Sequence, residues 1–363
     1  MNILIDIAHP AHVHLLRLTY HELIKRGHKI IVTVKDIPIA KKLMDIYGIP
    51  YVSLGKKKDS LLYKAFSQLI YDYKIWRLAI KHKIDVGIGS SITIPHASKF
   101  CRMNSIVFDD DNDSVEPLFV KYAHPFADVV LSPSSLIGNR KTPKAIFYDG
   151  YHELAYLHPN RFAPDENILD EVGLTKDDKF FILRFNAFKA HHDVGVSGLS
   201  IENKRKLVEY LETKGKVFIT TERNIDEEFL PYQLTISPEK AHSLMYYATM
   251  FVGDSQTMTS EAALLGVPAI RCNSFVGNIA YLEEEEHKYG LTYGFLPNQS
   301  EQMFKKIEEI LSNPNVKDEW SAKRRKMLKD KIDVTAFFVW FIENYPGSLK
   351  IMKENPNYQE KFK

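Results

Sequence analysis

Short runs rich in β-branched residues alternate with helical segments along this chain, and the rhythm stops once and restarts. "NILIDI" (2–7) reads as a strand. "HVHLLRLTYHELIKRGH" follows as an amphipathic helix that stops at Gly27, and "KIIVTV" (29–34) is a second strand. Further strands are expected at 51–54, 86–89, 105–108, 129–132 and 145–148. From 149 to 165 the period is lost in a stretch with two prolines and scattered aromatics, which is expected to be an interdomain linker. The rhythm then resumes with strands at 180–185, 216–220, 250–254 and 268–272 and helices near 201–213, 239–248, 257–265, 300–312 and 316–331. Strands separated by helices need crossover connections, so each half is expected to be α/β, a mostly parallel, doubly wound sheet.

The 363 residues suffice for two such domains. They are expected at 1–155 and 165–332, with 333–363 holding a last apolar helix, "DVTAFFVWFIENY", and a tail. A ligand cleft is expected between the halves. In open parallel sheets ligands sit beyond the carboxyl ends of strands, so the informative loops are those that follow strands.

Composition removes several function classes. The formal net charge is +2, which gives no bulk case for a nucleic-acid partner. Cys101 and Cys272 are the only cysteines, too far apart in sequence for a zinc or CxxC pattern, and a reducing cytoplasm is the expected setting. The start "MNILIDIAHP" shows no signal-peptide pattern, and the longest apolar run, "AFFVWFI", is too short to span a bilayer. No metal ligand set is spaced along the chain, so no obligatory cofactor is expected.

The first strand is followed by "DIAHPAHVH" (6–14). Histidines 9, 12 and 14 lie where a helix begins, and a helix N-terminus favours an anion. His9, nearest the strand end, is the leading acid/base candidate; His12 is assigned to the acceptor or substrate side. A plain polar turn is the alternative. "GSSITIPH" (89–96) offers Ser90 and Ser91 either as substrate contacts or as helix caps. "FDDDNDS" (108–114) offers Asp109 and Asp110 as general bases, against a solvated turn in which Asp113 or Ser114 caps the next helix.

In the second half, "RFNAFKAHHDVG" (184–195) brings Arg184, Lys189 and His191 to a strand end, groups that match phosphate oxygens. Thr221 and Glu222 in "TTERN" end the next strand. "VGDSQTMTSEAALLGVPAI" (252–270) reads as strand, polar turn, helix, Gly-Val-Pro, strand. Amides and hydroxyls at Ser255, Gln256 and Thr257 suit a diphosphate without a metal ion, and Glu261, about one turn in, suits ribose hydroxyls. Glu261 as a partner of the helix dipole stays open beside that reading.

The 253–270 pattern resembles the donor-nucleotide motif of GT-B fold enzymes, above all UDP-N-acetylglucosamine 2-epimerases. Their stretch runs Asp-Ser-Gly-Gly, three residues, Glu-Ala and later Gly-x-Pro. Asp254, Ser255, Glu261, Ala262, Gly266 and Pro268 stand at the matching places, with Gln256 and Thr257 where the glycines would be. The peptidoglycan N-acetylglucosaminyltransferase family has a similar turn. Through "HPAHVH", "ERN" and "GDSQTMTSEAALLGVPAI" the whole chain resembles an uncharacterised domain-of-unknown-function family of GT-B-like proteins.

The resemblance implies two Rossmann-like domains, with the apolar helix 333–345 crossing back to the first. It implies a UDP-type nucleotide sugar as substrate, Ser255 and Thr257 at the diphosphate, and Glu261 at the ribose. The epimerases' Thr-Glu-Arg-Pro-Glu and His-Val-Glu-Ala-Gly segments are replaced here by "CNSFVGNIAYLEE" and "VFDDDND". A glycosyltransferase of surface polysaccharide or glycan synthesis is therefore the leading expectation. A sugar-nucleotide epimerase or hydrolase, and a non-catalytic nucleotide-sugar binder, stand as alternatives.

One segment points to a partner. Residues 56–83 hold eight Lys/Arg against two Asp, interleaved with apolar residues at helical spacing. A long helix with a buried stripe and a solvated basic face explains it. A peripheral membrane surface at the inner face, meeting a lipid-linked acceptor, is the second reading.

Overall fold

The computed structural model describes residues 1–55, 61–185, 198–221 and 225–363. These fall into two compact units, Met1–His158 with Lys331–Lys363, and Pro159–Asp330.

The first unit runs β1 (Asn2–Ile7), α1 (Pro10–Lys25), β2 (Lys29–Lys35), α2 (Pro38–Ile46), β3 (Val52–Gly55), α3 (Leu61–Lys81), β4 (Val86–Gly89), α4 (Thr93–Ser98), β5 (Asn104–Phe108), α5 (Pro117–Tyr122), β6 (Val129–Pro133), β7 (Ala145–Tyr148) and α6 (Leu154–Leu157). Its sheet is parallel, in the order β3-β2-β1-β4-β5-β6-β7. The order reverses between β1 and β4, where Ile3, Leu4 and Ile5 pair with Val86, Gly87 and Ile88. β1, β4, β5 and β6 are buried almost throughout, which is why they read as continuous apolar runs rather than as alternating ones.

The second unit runs α7 (Ile168–Glu171), β8 (Phe180–Arg184), α8 (Ile201–Glu212), β9 (Lys216–Thr220), α9 (Ala241–Tyr247), β10 (Met250–Gly253), α10 (Gln256–Leu265), β11 (Ala269–Cys272), α11 (Ala280–His287), β12 (Thr292–Phe295), α12 (Ser300–Leu311) and α13 (Val316–Asp330). Its parallel sheet has the order β12-β11-β10-β8-β9 and reverses between β10 and β8. The edge strand β12, "TYGF", is short and holds a glycine, and the sequence reading passed over it.

α14 (Val334–Glu343) and α15 (Gly347–Glu354) return to the first unit. Asp333 caps α14 by accepting from the Ala336 amide at 3.0 Å. The buried face of α14 sets Phe338 against Phe108 (ring centroids 4.6 Å apart) and Tyr148 (5.2 Å). Each fully buried phenylalanine contributes about 1.5–3 kcal/mol.

The expected linker is different from the sequence reading in its first part. Residues 150–158 are buried in the first unit, and Thr335 Oγ1 donates to the Ala155 carbonyl at 2.6 Å. The segment lacks a period because it is covered on all sides, which the sequence alone could not separate from a loop. Among the described residues no helix is long and apolar enough to cross a membrane.

Candidate functional site

In the first unit, the loops after β1, β5 and β7 bring together a group of histidines and carboxylates. His9 is the N-cap of α1, and its Nδ1 accepts from the Ala11 amide at 3.2 Å. One turn later, His12 Nδ1 accepts from the Ala8 amide at 3.3 Å, which leaves the proton of the neutral ring on Nε2. Burial, followed by the charges of His9 and His152, pushes the His12 pKa down to about 3 against the pull of Asp110. His12 is therefore a neutral imidazole at physiological pH.

The two leading aspartates have separate jobs. Asp109 is buried, with Oδ2 held by His124 Nε2 at 2.7 Å and by Arg140 at 2.8 Å. The same guanidinium reaches Asp113 at 2.5 Å and donates to the carbonyls of Asp109 and Asp111. Asp109 thus pins the loop to Arg140 and is not available as a base. Asp113 serves the same clamp instead of capping a helix; the N-cap of α5 is Glu116. Asp111 sits among these carboxylates, and burial, then Asp110 and Asp109, raise its pKa to about 8.

Asp110 pairs with His152 Nδ1 at 3.0 Å. Burial acts to raise the Asp110 pKa, but the charge and hydrogen bond of His152 outweigh it and hold the carboxylate below its usual range. His152 stacks over Tyr148, with centroids 6.4 Å apart and planes 9° from parallel. Its Nε2 is buried and makes no hydrogen bond among the described residues. An imidazole held by a carboxylate on Nδ1 and bare on Nε2 is the arrangement of an oriented general base. The sequence reading missed His152 because it lay in the supposed linker. The rule applied to every other loop would have found it, since it follows a parallel strand.

The serines after β4 fall elsewhere. Ser91 is buried beside Asp6, whose pKa burial raises. Neither serine caps α4, whose N-cap is Ile92. Ser90 is half-buried, and its Oγ lacks a hydrogen bond among the described residues.

In the second unit the reversal point lies between Arg184, ending β8, and Gly253, ending β10, which pair in register. A Cβ on Gly253 would stand 2.7 Å from Arg184 Cβ and 2.8 Å from its carbonyl oxygen, so glycine permits this approach. Arg184 is buried and donates to Thr220 Oγ1 at 3.1 Å. The Asp254 amide donates to the Arg184 carbonyl at 3.2 Å, and Asn273 Nδ2 donates to the Asp254 carbonyl at 2.9 Å.

Ser255 is the N-cap of α10, accepting from the Met258 amide at 3.3 Å. Gln256 and Thr257 are half-buried in the first turn, where helix amides point outward. Glu261 is buried, and His242 Nε2 on α9 meets its Oε1 at 2.8 Å. His242 gives no sequence signal, because it lies in the first turn of another helix, nineteen residues away. α10 ends on Gly266 at φ 82°, a left-handed cap that turns the chain into β11. Thr221 is half-buried just beyond β9. Lys189, His191 and Glu222 lie outside the described residues. Among those residues, no three His, Cys, Asp or Glu side chains are grouped to hold a metal ion.

Residues 1–289 match the family described as "Protein of unknown function (DUF354)". The chain belongs to the DUF354 family. It is 23% identical over 314 residues to the uncharacterized protein MJ0665 of Methanocaldococcus jannaschii, across 79% of this chain and 86% of that one.

Solved structures resemble this DUF354 chain in fold. The Neisseria meningitidis UDP-GlcNAc 2-epimerase bound to UDP-GlcNAc superposes with a TM-score of 0.63 at 12% identity, covering 95% of this chain and 100% of that one. The M. jannaschii UDP-GlcNAc 2-epimerase in complex with UDP-GlcNAc and UDP gives 0.62 at 13%, over 86% and 93%. The SsfS6 glycosyltransferase of Streptomyces sp. SF2575 gives 0.60 at 12%, over 94% and 99%. At these identities the likeness is one of fold. The DUF354 chain has the two-domain, parallel-sheet fold of GT-B glycosyltransferases and UDP-GlcNAc epimerases.

Proposed function

We propose that the chain is a glycosyltransferase that takes a nucleotide-diphosphate sugar of the UDP type and passes the sugar to a hydroxyl acceptor. One observation carries the reading. The β10–α10 turn, at the reversal point of the second sheet, offers outward helix amides and the Thr257 hydroxyl next to a buried carboxylate, Glu261, fixed by His242. Amides and a helix N-terminus bind a diphosphate, and a held carboxylate accepts from ribose hydroxyls. Chains of the same fold are solved with UDP and UDP-GlcNAc bound.

In the reaction, the acceptor oxygen bonds to the anomeric carbon while the bond from that carbon to the diphosphate oxygen breaks. The electron pair leaves with the diphosphate, whose charge the α10 amides stabilise. The acceptor proton passes to a general base, for which the first unit offers the His152 imidazole. Asp110 holds the ring through Nδ1 and stabilises the imidazolium that forms. Asp110 is thus a positioning group, and His9 is first of all a helix cap.

The neighbours that are epimerases favour a second reading, turnover of the sugar nucleotide without an acceptor. Thermal shift with UDP and UDP-GlcNAc, followed by UDP release with and without a hydroxyl acceptor, separates the two. Release that depends on acceptor supports transfer; a C2-inverted sugar nucleotide formed without acceptor supports epimerisation. Absence of a thermal shift with every nucleoside diphosphate tested would refute the shared premise. His152→Gln is expected to keep the UDP shift and to lower turnover by roughly 10²–10⁴-fold.

A further inference from the structure

α3 is apolar on two opposite faces, and only one of them is covered. Tyr71, Ile75 and Ala79 are buried against Leu4, Leu54, Ile84, Ile94 and Met103. On the other side Phe66 is 62% exposed, Leu69 67%, Tyr73 54% and Ile80 51%, with Ile70 also open to solvent. At 3.6 residues per turn these five and Arg77 fall within about 100° of arc, roughly opposite the buried stripe.

The patch continues off the helix. Trp76 Nε1 donates to the Phe100 carbonyl at 3.0 Å, which sets the Phe100 ring, 76% exposed, beside Tyr73 and Trp76 across a hollow of about 280 Å³. On the other flank, a groove of about 1080 Å³ between α3 and β3 is lined by Val52, Leu54, Ile70, Tyr73, Trp76 and Ile80. Exposed apolar groups this concentrated mark an interaction site rather than ordinary surface.

The charge around the patch chooses the partner. Lys74, Arg77 and Lys81 are exposed along one border of the stripe. Asp72 is the one carboxylate of α3, and it is engaged by His96 at 2.9 Å and Gln68 at 2.7 Å. Lys74 donates to the Leu54 carbonyl at 2.7 Å and Arg77 lies over the Tyr73 ring, but among the described residues no carboxylate pairs with Lys74, Arg77 or Lys81. A second copy docking by two-fold symmetry would bring this basic border toward itself. An anionic lipid surface would take the apolar tips among its acyl chains and the cations among its headgroups.

We propose that the exposed face of α3, with Phe100, is a peripheral docking surface for an anionic membrane. The inference stands apart from the reading of the reaction, because it uses none of the site residues. The test is co-sedimentation of the full chain with vesicles of phosphatidylcholine, with and without 30 mol% phosphatidylglycerol, at low and high salt. Light scattering gives the oligomeric state of the same samples.

Binding to the phosphatidylglycerol vesicles, weakened by salt and absent with pure phosphatidylcholine, is expected. Leu69→Glu should abolish it, and Arg77→Gln should weaken it about fivefold, the worth of one surface cation. Both positions are exposed, so neither change threatens the fold, and circular dichroism of each variant checks this. Failure of the wild type to bind anionic vesicles at low salt overturns the proposal. So does a wild-type dimer that Leu69→Glu converts to monomer, because the face would then be a self-interface.

Discussion

His12 should make the first unit acid-sensitive in a way that one substitution removes. An unfolded histidine titrates near 6.5, and the folded ring titrates near 3. Because the folded pKa lies below the unfolded one, the stability that depends on the neutral ring is complete above pH 6.5. It is lost as the pH falls from there toward 3, since the unfolded chain binds the proton first. At pH 5 the unfolded ring is about 30-fold more protonated than neutral, while the folded one is neutral, so about 2 kcal/mol has gone. Two structural causes combine: the ring is desolvated, and its Nδ1 is the acceptor for the Ala8 amide, a bond an imidazolium cannot make.

The assay is hydrogen exchange by mass spectrometry on peptides spanning residues 2–25, in wild type and His12→Gln, at pH 7.5 and pH 5. Intrinsic exchange changes with pH equally for both proteins, so the ratio of their protection isolates His12. That ratio should fall about thirtyfold against the wild type between the two pH values, the equivalent of about 2 kcal/mol. A ratio that does not change with pH would show that His12 is solvated or charged in the folded state, and the argument would fail.

Asp109→Asn should destabilise the first unit by about 1.5–3 kcal/mol, read by urea unfolding, because it removes one of the two carboxylates on buried Arg140 and the charged partner of His124. A loss below 1 kcal/mol would mean that Asp109 is no clamp. Asp111 has the opposite sign to His12: its raised pKa means stability present below about pH 4 and lost as pH rises through about 8. Asp111→Asn should therefore gain on the wild type as the pH goes from 5 to 9, checked by thermal unfolding. Gly253→Ala meets Arg184 Cβ at 2.7 Å and should lower the thermal midpoint of the second unit and weaken UDP binding together; an unchanged midpoint counts against the close strand approach.

The sequence by itself determined the architecture. Parallel strands buried on both faces must be short apolar runs, and β1, β5 and β6 are such runs. Glycine stops such as Gly27 and the apolar helix at 334–343 are local features, and local chemistry is legible one residue at a time. The 252–270 stretch was legible for the same reason: cap, turn, helix and left-handed glycine all follow one another in the chain.

What only the tertiary structure decided is which partner each charged group faces. "DDD" offers three equal carboxylates. Arg140 and His124 take Asp109, His152 takes Asp110, and Asp111 is left with a raised pKa. His242 meets Glu261 from another helix, and residues 150–158, which read as a loop, are walls of the first core. The apolar residues of α3 read equally as a buried stripe or as an exposed surface, and only solvent exposure separated the buried Tyr71, Ile75 and Ala79 from the uncovered Phe66, Leu69, Tyr73 and Ile80. Propensity and period act along the chain. Desolvation and ion pairing act across space, so the roles of these side chains exist only once distant segments have met.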